Sequence, residues 1–161
     1  MPPPQQPAPG AVDPAWLSAD PTTKTASFEL IAGLTGLNGA LNFNGFRDGG
    51  LTLTVPLGWT VKMHFTDRDG MLPHSAEVIR PATPLPVASV PAAFDGAFTV
   101  RLGEGLPPGG EDEVRFIANR VGSFLIFCGV PGHGAAGMWA RLRVSGTARL
   151  PSVTATRGRK S

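Results

Sequence analysis

An all-β sandwich is predicted by three observations on the 161-residue chain. Glycine (21) and proline (17) are about twice as frequent as usual, which multiplies tight turns. Apolar residues alternate with polar ones in short runs between those turns, and no stretch carries a convincing helical period. With 42% hydrophobic content the chain can build a real core in a single domain.

From Thr25 onward the strand candidates follow in order. "TASFELIAG" comes first, then "LNF" ended by Asn44-Gly45, then "LTLTV" after Asp48-Gly49-Gly50, all at hairpin-like spacings. "TVKMHFTD" alternates cleanly, with Val61, Met63 and Phe65 on one face and Thr60, Lys62, His64 and Thr66 on the other. His64 therefore points to solvent. "SAEVIR" follows Pro73-His74, and "EVRFIA", "GSFLIFC" and "MWARLRV" complete the set, giving seven or eight strands. Residues 81–110 form a long Pro- and Gly-rich connection, too apolar for a free linker, which packs over the sandwich with "AFTVRL" as a short strand. Trp16, Trp59 and Trp139 are packing residues; Met63 belongs to the core and Met71 to a loop.

The expected organisation is a Pro-rich spacer over 1–24, the domain over 25–146 and a basic tail over 147–161. The net charge of +2 is too small for a nucleic-acid partner, and residues 1–144, with 10 basic and 12 acidic groups, sit near neutrality. No apolar run is long enough to span a membrane, and no leader precedes the domain; a leader or anchor upstream of the Pro-rich opening is expected to be missing.

A single cysteine excludes an internal disulfide and any centre that needs two thiolates. Cys128 lies in "FCGVPGHGAAGMW", where Cys128, His133 and Met138 stand five residues apart. On a helix those offsets would scatter the side chains, and the glycines and Pro131 forbid one, so the segment is a curled loop that can aim all three inward. Thiolate and thioether suit Cu(I), and imidazole suits both copper oxidation states. Thioether is a poor zinc ligand, which argues against structural zinc. A second imidazole must come from elsewhere. His74, after a proline in the loop "GMLPHSAEV", is the candidate, because His64 fails on parity and position.

"CGVPGHGAAGMW" together with "LPHS" resembles the cupredoxins, and "LNFNGFRDGGLTLTVPLGWTVKMHF" is similar to their sulfocyanin branch. The resemblance runs from about Ser27 to Val144 and implies a Greek-key β-sandwich with one type 1 (blue) copper ion. It implies His74, Cys128 and His133 as equatorial ligands and Met138 as the long axial ligand. Many cupredoxins place asparagine after the first histidine, tying the two ligand loops together. Here Ser75 takes that position, and only the backbone N–H of Gly129 can answer it. An apolar shell of Phe124, Phe127, Val130, Ala135, Ala136 and Trp139 is expected to exclude water and raise the reduction potential.

The implied role is a monomeric single-electron carrier, not an enzyme, exported to the periplasm or cell surface and serving a respiratory chain. Redox proteins such as a c-type cytochrome or a terminal oxidase or reductase would dock on an apolar patch around His133, made of Met71, Leu72, Pro73, Val130, Pro131, Ala135 and Ala136. The alternative is a copper storage or delivery module, although no Met- or His-rich tract is present. With three histidines in all, and none beside Cys128, a multicopper enzyme lacks its further ligands.

Overall fold

A computed structural model describes residues 11–34 and 40–155. Its elements are a short 3-10 turn, Pro14–Trp16, and nine strands: β1 Leu17–Asp20, β2 Thr25–Ala32, β3 Leu51–Pro56, β4 Thr60–Asp67, β5 Glu77–Ile79, β6 Glu111–Ile117, β7 Gly122–Phe127, β8 Trp139–Ser145 and β9 Ser152–Ala155. They form two sheets, ordered β1-β2-β4-β6 and β5-β7-β8-β3-β9. The all-β sandwich is as expected, with nine strands rather than seven or eight. Among the described residues no helix is long and apolar enough to cross a membrane.

Alternation builds the core. Val61, Met63 and Phe65 of β4 are fully buried, as are Leu30 of β2, Val55 of β3 and Val114 of β6. Their inward faces merge into one cluster between the sheets, with Trp16 and Trp59 at 5% exposure. Trp139 is half-buried on the far face of the second sheet.

Several expectations are corrected. The hairpin-like spacing of the first strands produces no hairpin: β2 pairs with β4 in parallel, Thr25 opposite Thr60, while β3 joins the other sheet beside β8. "LNF" is not a strand but contributes isolated bridges at Phe43, and Asn44 adds to that pairing. With φ at 54°, Asn44 turns its amide onto β2, accepting from the Ile31 N–H (2.8 Å) and donating to the Glu29 carbonyl (2.8 Å). "AFTVRL" makes a single bridge, Glu77 to Phe98, and the small residues Ala97 and Thr99 turn inward while Phe98 and Val100 face out. Strands β1 and β9 lie outside the 25–146 bounds, pairing as the edges of their sheets with β2 and β3.

Strand β7 is buried on both faces. Phe124, Ile126 and the following Cys128 point into the sandwich, whereas Leu125 and Phe127 join Ile79 on the outer face. There Leu85 and Val90 of the 81–110 connection cover them, as the apolar content of that segment required.

His64 is exposed, as its parity demands, and its ring bridges Glu29 (Nδ1–Oε2, 2.8 Å) on β2 and Glu111 (Nε2–Oε1, 2.7 Å) on β6. The hydrogen bond to Glu29 raises the His64 pKa above 6.5; burial opposes it, and the hydrogen bond to Glu111 and the charges of both carboxylates add to the rise. A raised folded pKa stabilises the fold fully below about 6.5 and loses that contribution as pH rises through the folded value. His64→Ala is expected to lower the Tm below that pH and to converge with the parent above it. The effect is at most about 1 kcal/mol because the bridge is solvent-exposed. Thermal unfolding across pH 5 to 9 checks this, and a gap that widens with pH contradicts it.

Candidate metal centre

Two loops at one end of the sandwich carry the site: residues 68–76 between β4 and β5, and residues 128–138 between β7 and β8. The second loop leaves β7 at Cys128 and returns at Met138, closed by the Cys128 N–H to the Met138 carbonyl (3.2 Å) and the Met138 N–H to the His133 carbonyl (3.1 Å). It curls as its glycines dictate. Gly134 lies flat on the Phe127 ring, where an added Cβ would stand 2.2 Å from ring carbons. Gly137 has φ at 115° and is clamped by the Arg47-Asp48 turn, with the Asp48 N–H on its carbonyl (2.9 Å) and the Arg47 guanidinium on the Ala136 carbonyl.

The loops bring His74, Cys128 and His133 together, with one ligand atom from each within 4.8 Å of the others. Cys128 Sγ is 3.7 Å from His133 Nδ1, and the two imidazole centroids are 5.1 Å apart. Met138 is fully buried in the same core cluster as Cys128. His74 and Cys128 are fully buried and His133 is half-buried.

The donor set fits a soft cation. His74 Nδ1 is buried without a hydrogen-bond partner, a cost that a bound metal ion would remove. Burial pushes the Cys128 thiol pKa up, opposed by hydrogen bonds from the backbones of Ser75 and Val130 and from the Ser75 side chain. Burial and the neighbouring His74 push the His133 pKa down, against the charge of Asp69, which favours the neutral ring that a metal ligand needs.

Ser75 ties the loops as its position suggested. Its Oγ accepts from the Gly129 N–H (3.0 Å) and donates to the Leu102 carbonyl (2.8 Å), joining three segments with one hydroxyl. Space beside Gly129 is tight: a Cβ would stand 3.0 Å from the Ser89 Cβ and 3.3 Å from the Ser75 Oγ. Ser75→Ala is expected to strand the buried Gly129 N–H and release the half-buried Leu102 carbonyl, costing about 1–3 kcal/mol. Urea unfolding of the apoprotein measures it, and an unchanged midpoint would refute the role.

The expected apolar shell is only partly present. Val130 is buried among core residues at the site, but Phe127 and Trp139 sit on the outer face of the sheet, and Phe124 packs against Phe94 (4.7 Å), which stacks on Phe116 (5.1 Å). Of the surface patch, Met71 (86% exposed), Leu72, Pro131, Ala135 and Ala136 are exposed, Pro73 is half-buried, and Val130 turns inward.

The sequence reading missed Asp69. Its Oδ2 lies 2.8 Å from His74 Nε2, both side chains buried, and its Oδ1 accepts from the Met71 N–H (2.9 Å). Burial pushes the Asp69 pKa up, but the Met71 N–H and the His74 ring outweigh it and hold the carboxyl below its usual value. Asp67 behind it is raised to about 6, chiefly by burial, with Oδ2 unpartnered. A carboxylate five residues before a candidate ligand histidine was the only available signal.

Comparison with known proteins agrees with this fold. The sulfocyanin (SoxE) domain matches residues 13–155. Sulfocyanin of Sulfolobus acidocaldarius is 28% identical over 138 residues, covering 81% of this chain and 68% of that protein. Rusticyanin from Thiobacillus ferrooxidans superposes with TM-score 0.55 at 23% identity, over 76% of this chain and 82% of its own. Reduced auracyanin from Roseiflexus castenholzii gives TM-score 0.54 at 23% identity, over 80% and 99%. At such identities the structures speak for the fold, and the match over residues 13–155 speaks for the family. The chain belongs to the sulfocyanin family of cupredoxins, electron carriers whose cofactor is one type 1 copper ion.

Proposed function

We propose that His74, Cys128, His133 and Met138 hold the copper ion and that the protein is a one-electron carrier of an extracytoplasmic respiratory chain. The observation that carries the ligand set is the unpartnered, fully buried His74 Nδ1 beside a buried thiol and a second imidazole. When bound, copper supplies a centre that gains and loses one electron.

The chain's own residues do the rest. Cys128 gives up its thiol proton on binding, since the thiolate is the ligand form. His74 and His133 enter as neutral rings. The β7 and β8 strands that flank the loop, with the Ser75 and Arg47 ties, hold the donors in place, so that little needs to move between oxidation states. Half-buried His133, among exposed Pro131, Ala135, Ala136 and Met71, offers the route to a partner. An uncharged patch gives brief, readily reversed contact, as a carrier shuttling between redox proteins requires.

Voltammetry of the copper-loaded protein tests this reading, with a reversible one-electron wave expected. Ala135→Glu should leave that wave in place while slowing electron exchange with a reduced c-type cytochrome. Release of the metal on reduction would favour storage or delivery and sink the carrier.

A further inference from the structure

His74 meets the metal site with one ring nitrogen already committed. Nε2 lies 2.8 Å from Asp69 Oδ2, with His74 at 0% and Asp69 at 8% side-chain exposure. An ionised carboxylate can only accept, so Nε2 must carry a ring proton, and in the neutral ring that a metal requires Nδ1 is the bare nitrogen. Nδ1 is the buried atom that has no partner.

Asp69 is itself fixed from several directions. Its Oδ1 accepts from the Met71 N–H (2.9 Å), and its own N–H donates to Asp67 Oδ1 (2.8 Å). Behind it Gly33, at φ 68°, makes room: a Cβ there would stand 2.5 Å from the Asp69 Cβ. Any side chain at residue 33 would push the carboxylate off the ring. None of this is needed to build the loop alone, since the Met71 bond would serve that purpose without the second oxygen.

We propose that Asp69 is a positioning residue that locks His74 in the Nε2–H tautomer and, through its charge, favours Cu(II) over Cu(I). The proposal rests on the reading of His74 as a ligand. In a site with little water, a negative charge one imidazole away from the metal is weakly screened and stabilises the higher oxidation state. It works against the apolar surroundings of Cys128 and Val130, which favour Cu(I).

Asp69→Asn separates this role from a structural one. The amide oxygen can keep the Met71 N–H, which turns the amide NH2 toward His74 Nε2. A donor there selects the Nδ1–H tautomer, whose ligating nitrogen is blocked. Nitrogen-15 NMR of the apoprotein is expected to show Nε2–H at His74 in the parent and Nδ1–H in the variant. Cu(II) affinity should fall roughly 10- to 100-fold. Each tenfold by which Cu(II) loses more than Cu(I) raises the reduction potential by about 59 mV.

A parent apoprotein with His74 in the Nδ1–H form would overturn the proposal, and that measurement needs no variant to fold. An Asp69→Asn protein with unaltered tautomer and unaltered potential would overturn it equally, whereas a lowered Tm alone would reveal only a structural contact. Failure of the underlying ligand reading looks different: His74→Ala would then keep the parent's visible band.

Discussion

Cys128→Ser is expected to abolish the intense visible band of the Cu(II) protein and to weaken copper binding by orders of magnitude. The thiolate is the one strongly donating soft ligand in the set, and a serine hydroxyl does not ionise at accessible pH. The apoprotein should still fold, because the change is nearly isosteric. Burying a hydroxyl where the fully buried thiol stood costs about 1–3 kcal/mol at most. The backbone N–H groups of Ser75 and Val130, which offset the effect of burial on the thiol, remain available to the new oxygen. Copper titration followed in the visible range reads the result directly, and a coloured Cys128→Ser protein would refute the role of the sulfur.

Gly134→Ala should be the most damaging single methyl addition in the ligand loop. Its Cβ would overlap the Phe127 ring at 2.2 Å, and that ring is fully buried against Ile79 and Leu125 with Leu85 and Val90 above. Neither side can yield cheaply, since the ring is wedged and the loop is closed by the His133–Met138 backbone bond. Overpacking of this kind costs about 1–3 kcal/mol, and each kcal/mol lowers the Tm by about 2–4 °C in a domain of this size. The displaced loop carries His133, so the visible band should shift as well. Trimming the ring by Phe127→Leu in the Gly134→Ala background should recover part of the loss, a coupling that a double-mutant cycle measures. Additive losses would place the strain elsewhere.

What could be read from the chain follows from how local its causes are. The alternation at Val61, Met63 and Phe65 and the five-residue spacing of Cys128, His133 and Met138 are properties of contiguous residues; the first gave the two faces of β4 and the second the curled loop between β7 and β8. Strands β1 and β9 were not legible, because they are short polar edge strands whose pairing comes entirely from β2 and β3. Asn44 adds a side-chain amide to its backbone hydrogen bond with Ile31, which no periodicity records. Phe127 and Trp139 were assigned to the copper side because they neighbour ligands in sequence, but a strand sends neighbours to opposite faces. The two-sided burial of β7 hid that distinction, as both of its faces are apolar. Asp69 could not be singled out among 12 acidic residues until the loop placed it on the His74 ring.

Titration of the apoprotein with Cu(II), followed in the visible spectrum through a cycle of reduction and reoxidation, tests the central claim most directly. One equivalent should saturate an intense thiolate-to-copper band that bleaches on one-electron reduction and returns in full on oxidation, identically in His64→Ala. A colourless adduct, a requirement for more than one ion per chain, or loss of the band in His64→Ala would contradict a single copper held by His74, Cys128, His133 and Met138.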